Sequence, residues 1–218
     1  MLHIVSTPIG NLKDISRRAV ETLQKADLIV AEDTRRTINL LRNLGIGHKR
    51  MTSFDRHSEK RKTPHIIREM KEGREIALVS DSGTPGINDP GEHLVKEAVN
   101  EGIDVSPVPG PSAIISALVC SGIPAGRFMF HGFMPKKEKE KKEYLGSLEE
   151  NMAHIFYESP YRIGKTLKMM AEILPEKRMC LCREMTKAHE EFVRGSAREV
   201  YNDLKEKNLK GEIVIVLG

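Results

Sequence analysis

Three stretches of this chain gather hydroxyls, a carboxylate and chain-bending residues: Thr7-Pro8-Ile9-Gly10-Asn11, Ser80-Asp81-Ser82-Gly83-Thr84-Pro85-Gly86 and Val108-Pro109-Gly110-Pro111-Ser112-Ala113. Gly and Pro fix a tight backbone path and let main-chain atoms come close to a bound molecule. Ser112, at the start of a predicted helix, can present both its hydroxyl and unpaired amides. Any one of these stretches alone would read as an ordinary turn. Each, however, follows an apolar, strand-like run, and open α/β sheets bind ligands in the crevice beyond such strand ends. Three in one half-chain therefore indicate a binding crevice.

Other chemistries fail on spacing. Gly164-Lys165-Thr166 resembles the tail of a phosphate loop, but Ser159 stands where the first Gly is required, and the segment continues a helix instead of opening one. The first strand leads into Ser6-Thr7-Pro8-Ile9-Gly10-Asn11, not G-x-G-x-x-G, and Pro8 has no amide to give a pyrophosphate. Glu32-Asp33 would suit a ribose-binding carboxylate only beside that missing turn. The histidines show no ligand spacing. Cys180 and Cys182 share one face of a strand but have no partner at metal-ligand distance, so they read as core thiols and no metal is expected.

Cations cluster around the same loops. Lys13, Arg17 and Arg18 flank the first, Arg35 and Arg36 follow the second strand, and Lys49, Arg50, Arg56 and His57 precede the third helix. Phosphate contact is the physical use of such groups. The run Lys136 to Glu143 mixes Lys with Glu and reads equally as a solvated helix face or as a binding site led by Lys136 and Lys137.

The elements that must position these residues alternate. Strands are expected at Leu2–Ser6, Asp27–Ala31, Glu75–Ser80 and Ile103–Val108. Helices are expected after an Asp14 cap, at Thr34–Leu44, Ser58–Lys71, Gly91–Asn100 and Ala113–Cys120. The second half offers strands at Arg127–Phe133, His154–Glu158, Arg178–Arg183 and Glu212–Leu217, with helices at Tyr161–Leu174 and Ala197–Lys207. This is an α/β layer pattern with mostly parallel or mixed sheets. The turn-rich Ser121-Gly122-Ile123-Pro124-Ala125-Gly126 places a boundary between an N-terminal α/β domain, 1–121, and a C-terminal α/β domain, 127–218.

Composition sets outer bounds. A net charge of +4 permits a polyanionic partner without demanding one. Aromatics are 5% with no Trp, so base stacking is not the expected way to hold a nucleic acid. An odd cysteine count of 3 fits a reducing compartment. With no apolar stretch of spanning length and no signal peptide, the chain reads as cytoplasmic and free of membrane.

The strings Thr7-Pro8-Ile9-Gly10-Asn11-Leu12, Ala31-Glu32-Asp33-Thr34-Arg35, Leu78-Val79-Ser80-Asp81-Ser82-Gly83-Thr84-Pro85 and Pro109-Gly110-Pro111-Ser112-Ala113 resemble the tetrapyrrole methylase superfamily. With Phe156-Tyr157-Glu158-Ser159, Arg183-Glu184-Met185-Thr186-Lys187 and Lys210-Gly211-Glu212, they resemble its branch of bacterial 16S ribosomal RNA cytidine 2′-O-methyltransferases. That resemblance implies two α/β domains with S-adenosylmethionine between them, a homodimer, and 16S rRNA or the small ribosomal subunit as partner. It names Pro8, Ile9, Asp81, Gly83, Thr84, Ser112 and Ala113 as cofactor-binding residues, joined by Tyr157, Met185, Gly211 and Ile213. Lys13, Arg35, Arg36, Arg56, Lys136 and Lys137 are the expected RNA contacts. A ribose hydroxyl is a poor nucleophile at neutral pH and calls for a general base or a charge-stabilising cation. Asp33, Asp81, Glu158, Glu184 and Lys187 are candidates, with Glu158 the first choice. A tetrapyrrole-type small-molecule methylase and a non-catalytic regulator that binds cofactor or RNA are the alternatives.

Overall fold

A computed structural model describes residues 1–218. The chain forms two compact units, Met1–Ser112 and Ala113–Gly218.

The first unit is a parallel sheet covered by helices. Its elements are β1 (Leu2–Val5), α1 (Arg17–Lys25), β2 (Leu28–Ala31), α2 (Thr34–Asn43), β3 (Met51–Ser53), α3 (Glu59–Lys71), β4 (Ile76–Val79), α4 (Glu92–Asn100) and β5 (Val105–Val108). The strand order is β3-β2-β4-β1-β5 and every pairing is parallel. β2 and β4 are buried along their whole length, as strands covered on both faces must be. One face packs Leu2, Val30, Ile76 and Leu78 against Ile66, Met70 and Leu94; the other packs Val5, Ile29, Ala77 and Val79 against Ala19, Leu23 and Leu41.

α1 begins later than the Asp14 expectation. Ser16 is its cap and accepts from the Ala19 amide, while Asp14 lies in a short 3-10 turn, Leu12–Asp14. Asp33 caps α2. β3 carries no sequence signal because three half-buried residues are too few to show a period.

The second unit contains α5 (Ala113–Cys120), β6 (Phe128–Phe133), α6 (Glu138–Gly146), β7 (Ala153–Glu158), α7 (Ile163–Ile173), β8 (Arg178–Arg183), β9 (Glu191–Ser196), α8 (Ala197–Leu204) and β10 (Ile213–Leu217). Its sheet is mixed, ordered β6-β7-β10-β8-β9, with only β6 and β7 parallel. Phe156, Leu181, Ile215 and Leu217 pack against Leu167, Met170, Val200 and Leu204 of α7 and α8. The Cys180 and Cys182 sulfurs lie 3.6 Å apart inside this sheet.

The division at Ser112 falls ahead of the expected linker. Ser121 and Ile123 are buried, and the Ser121 hydroxyl donates to the Leu118 carbonyl while accepting from the Ile123 amide. Arg194 clasps the Cys120 carbonyl with two N–H groups. The turn at Ser121 to Gly126 is thus the packed exit of α5 within the second unit.

Candidate ligand site on the strand-end loops

In the first unit the three Gly- and Pro-rich loops are tied together at the carboxyl ends of β1, β4 and β5. Thr7 and Gly83 exchange two backbone hydrogen bonds, of 2.8 and 3.1 Å. Thr84 Oγ1 donates to the Pro111 carbonyl at 3.1 Å, which leaves it to accept from Ser6 Oγ at 2.9 Å. One hydroxyl relay therefore spans all three loops. Gly83 has φ +84°, and a Cβ there would stand 3.3 Å from Ile9 Cγ2. A Cβ on Gly110 would stand 3.0 Å from that of Ser6. Both glycines keep the loops at a separation that a side chain would widen.

Acidic groups converge beside this latch. Asp81 Oδ1 accepts from the Asp33 amide at 3.0 Å, Oδ2 lies 3.4 Å from Arg36 Nε, and the Asp81 amide donates to Glu32 Oε2 at 3.3 Å. Each Asp81 oxygen keeps a second acceptor position. Thr7, Pro8, Gly10, Arg36, Ser80 and Asp81, with Leu12, Thr37 and Leu40, line a cavity of about 190 Å³. Asp33 is otherwise engaged: Arg35 grips it through side chain and amide and holds its carboxyl down at about 2.

Asp89, which sequence reasoning passed over, differs from its neighbours. Burial, then the Glu32 charge, push its carboxyl up to about 6, against the opposing pull of a Ser80 hydrogen bond and Arg56. Its loop is pinned where Arg56 Nη2 donates to the Asn88 carbonyl at 2.5 Å and Glu59 Oε1 accepts from the Gly91 and His93 amides. The available signal was its place in the same loop as Asp81.

In the second unit, Glu158 does not have the surroundings of a base. Its side chain is fully buried. Oε1 receives Arg162 Nη2 at 2.6 Å and the Ser159 amide at 2.7 Å; Oε2 receives Thr166 Oγ1 at 2.6 Å and Lys141 Nζ at 3.3 Å. Four donors fill both oxygens, which corrects the sequence expectation: the carboxylate anchors α6 and α7 to β7. Glu184 is likewise occupied by Lys187 Nζ at 2.8 Å and the Glu212 amide at 2.9 Å, which hold its carboxyl below the usual range.

The segment after β8 is strained. Glu184 and Thr186 have φ of 49° and 65°, costly for residues other than Gly. Gly211, at φ +94°, leaves room for the Glu184 carboxylate, which a Cβ would overlap. Met185 and Ile213 are buried. Thr186 Oγ1 is buried without a hydrogen-bond partner, an expensive state that a polar ligand atom would relieve. Tyr157 is half-buried between Phe130 and Phe133.

The remaining expected residues are placed as follows. Ser112 closes the first unit and Ala113 opens the second. Lys13, Arg56 and Lys136 are exposed; Arg35, Arg36 and Lys137 have side chains 87%, 65% and 80% exposed, leaving them accessible to phosphate. Arg36 alone of these lines the cavity. Lys141, from the same charged run as Lys136, is instead buried on Glu158.

Comparison with known proteins places these loops in context. The profile of the Tetrapyrrole (Corrin/Porphyrin) Methylases matches residues 1–201. The chain is 45% identical over 217 residues to "Ribosomal RNA small subunit methyltransferase I" of Thermotoga maritima, covering 100% of this chain and 97% of that protein. The protein of the same name from Bacillus subtilis is 42% identical, with 100% and 74% covered. Among solved structures, the methyltransferase CobJ superposes with a TM-score of 0.70 at 20% identity, covering 100% and 93%. A Thermus thermophilus uroporphyrin-III C-methyltransferase complexed with S-adenosylhomocysteine gives 0.64 at 16%, covering 100% and 96%. At such identities the structures show a shared fold.

Proposed function

This chain belongs to the tetrapyrrole (corrin/porphyrin) methylases, and from that premise we propose that it moves a methyl group from S-adenosylmethionine to a cytidine ribose 2′-hydroxyl of 16S rRNA. The observation that carries the reading is 45% identity, over essentially the whole chain, to a protein named as a small-subunit rRNA methyltransferase. Arg36, largely exposed and lining the cavity, supports a polyanionic substrate.

The loops fit such a donor. When bound, S-adenosylmethionine supplies an electrophilic methyl carbon on a sulfonium. Methyl transfer is an in-line displacement, so alignment of the reacting groups provides much of the acceleration. Pro8, Ile9, Gly83, Thr84, Ser112 and Ala113 supply the closely approaching backbone, and the Ser6–Thr84–Pro111 relay fixes its spacing. The open acceptor positions of Asp81 suit the ammonium or ribose hydroxyls of the donor. In the second unit Tyr157, Met185, Gly211 and Ile213 are the proposed donor contacts, and the orphaned Thr186 hydroxyl beside Met185 can offer a hydrogen bond. We assign the ribose proton to Asp89, which is half-buried in the loop that carries the cavity-lining Asp81 and whose carboxyl is raised towards neutrality by burial and the Glu32 charge. Lys13, Arg35, Arg36, Arg56, Lys136 and Lys137 contact phosphates. The enzyme works as a cytoplasmic homodimer.

The deciding experiment supplies methyl-labelled donor with small ribosomal subunits, digests the RNA and identifies the modified nucleoside by mass. Label in 2′-O-methylcytidine, lost with Asp81→Ala, is expected. Label on a base, or transfer to a tetrapyrrole and none to RNA, would overturn the reading.

A further inference from the structure

The chain is poor in aromatic residues, yet the structure collects them at one place. Of its 6 Phe and 4 Tyr, Phe128, Phe130, Phe133 and Tyr157 stand on β6 and β7, at one edge of the second unit's sheet. Residues two apart on a strand share a face, which groups Phe128 with Phe130. The register shift between Phe130 and Phe133 then sets Phe133 opposite Tyr157. The Tyr157 ring lies edge-on between two others, with centroids 4.9 Å from Phe130 and 5.6 Å from Phe133.

These rings are not core. Phe133 is 55% exposed and Phe128 43%, whereas burying a Phe fully would contribute roughly 1.5–3 kcal/mol. His131, pointing to the other face, is half-buried and stacks on the fully buried Phe156 at 4.6 Å. An exposed aromatic group on an edge strand is a liability unless something covers it.

Charge identifies the occupant. From Gly126 through Lys137 the chain carries Arg127, Lys136 and Lys137 and no carboxylate. All three cations are exposed, one before the strand and two after it. Lys137 meets Glu140 only in an exposed ion pair, an interaction worth little and readily exchanged for phosphate. β6 pairs on one side alone, so its outer main-chain N–H and C=O groups are open to hydrogen-bonding edges. Rings flanked by cations along an open strand match what an unpaired stretch of RNA offers: π-faces spaced along a phosphate backbone.

We propose that the β6–β7 edge is a nucleobase-stacking platform, on which Phe133 and Phe128 hold bases of unpaired RNA while Arg127, Lys136 and Lys137 track its phosphates. The proposal rests on the rRNA methyltransferase reading and adds to it how unpaired RNA is held. It also revises the expectation, drawn from overall composition, that stacking plays little part.

The absence of Trp gives a clean test. Phe133→Trp installs the molecule's sole indole, to be titrated with a short cytidine-containing oligoribonucleotide. Quenching of its emission, with affinity near that of the unaltered protein, is expected. Phe133→Leu keeps apolar volume but loses the ring, and should weaken RNA binding about 5- to 150-fold, the equivalent of losing one base–aromatic stack. Donor affinity by calorimetry, circular dichroism and sedimentation should match the parent protein. Unquenched indole, or wild-type RNA affinity in Phe133→Leu, would overturn the platform. So would a changed sedimentation coefficient in Phe133→Leu without RNA, which would assign the patch to contact with a second copy. If the unaltered protein methylates small subunits while Phe133→Leu is unaffected, the platform alone fails. If the unaltered protein neither binds RNA nor methylates it, the underlying reading fails with it.

Discussion

Replacing Glu158 by Gln separates an anchoring carboxylate from a catalytic one. The substitution keeps the shape and removes the charge at a side chain with no exposure, which meets Arg162 at 2.6 Å and Lys141 at 3.3 Å. The amide must also turn its NH₂ group towards groups that can only donate, either the Ser159 amide and Arg162 or Lys141. Lys141 is itself 4% exposed, so its ammonium would be left buried without a counter-charge. Breaking a buried pair from one side costs about 3–5 kcal/mol. For a chain of 218 residues each kcal/mol moves the melting midpoint by about 2–4 °C, so a fall of about 6–20 °C is expected. A lost general base would instead lower kcat about 10²- to 10⁴-fold with the fold intact. Calorimetric melting and steady-state methyl transfer, measured on the same preparation well below the midpoint, distinguish these outcomes. An unchanged melting temperature beside a hundredfold loss of kcat would refute the anchoring argument and restore Glu158 as a base.

Three further outcomes follow from the same geometry. Asp89→Asn should lower kcat about 10²- to 10⁴-fold and remove the acid limb of the pH–rate profile near the native carboxyl's value of about 6. Because a raised acid pKa means that the folded state binds the proton more tightly, Asp89 opposes folding above that value, so Asp89→Asn should also melt higher at pH 7; a lower midpoint there would contradict the burial argument. Gly83→Ala forces a side chain into a left-handed backbone and against Ile9, costing about 1–2 kcal/mol and weakening donor binding in calorimetry; unchanged donor affinity would place the donor elsewhere. His131 is held down at about 4, first by burial and then by His154. The unfolded chain therefore takes up a proton between about 6.5 and 4 that the folded one refuses, so stability falls as pH drops through that window and levels off below it. His131→Phe should flatten this part of the denaturation-midpoint curve, and an unaltered slope would show that other groups produce it.

The strand-end loops were legible because their signal is local. Gly83 needs its positive φ, Gly110 its close approach to Ser6, and Thr84 its hydroxyl, and each requirement is met by a residue type within a few positions of a readable strand. Glu158 was misread for the opposite reason. An acid at the end of an apolar strand looks the same whether it opens into a crevice or closes on an ion pair, and its partners Thr166 and Lys141 lie 8 and 17 residues away. Lys141 was hidden further by its setting: in a run of alternating Lys and Glu, nothing local marks the one ammonium that turns inward. β9 escaped because Glu191 and Arg194 interrupt its apolar run, and its place on the sheet comes from register with β8. The aromatic edge was the least visible of all. Its four rings are separated by up to 29 positions and look unremarkable in composition; only parallel pairing of β6 with β7, with its shift after Phe130, brings Phe133 beside Tyr157. Chemistry carried by the backbone of a turn can be read along the chain, whereas chemistry made by side chains meeting across a sheet depends on a register that no local pattern fixes.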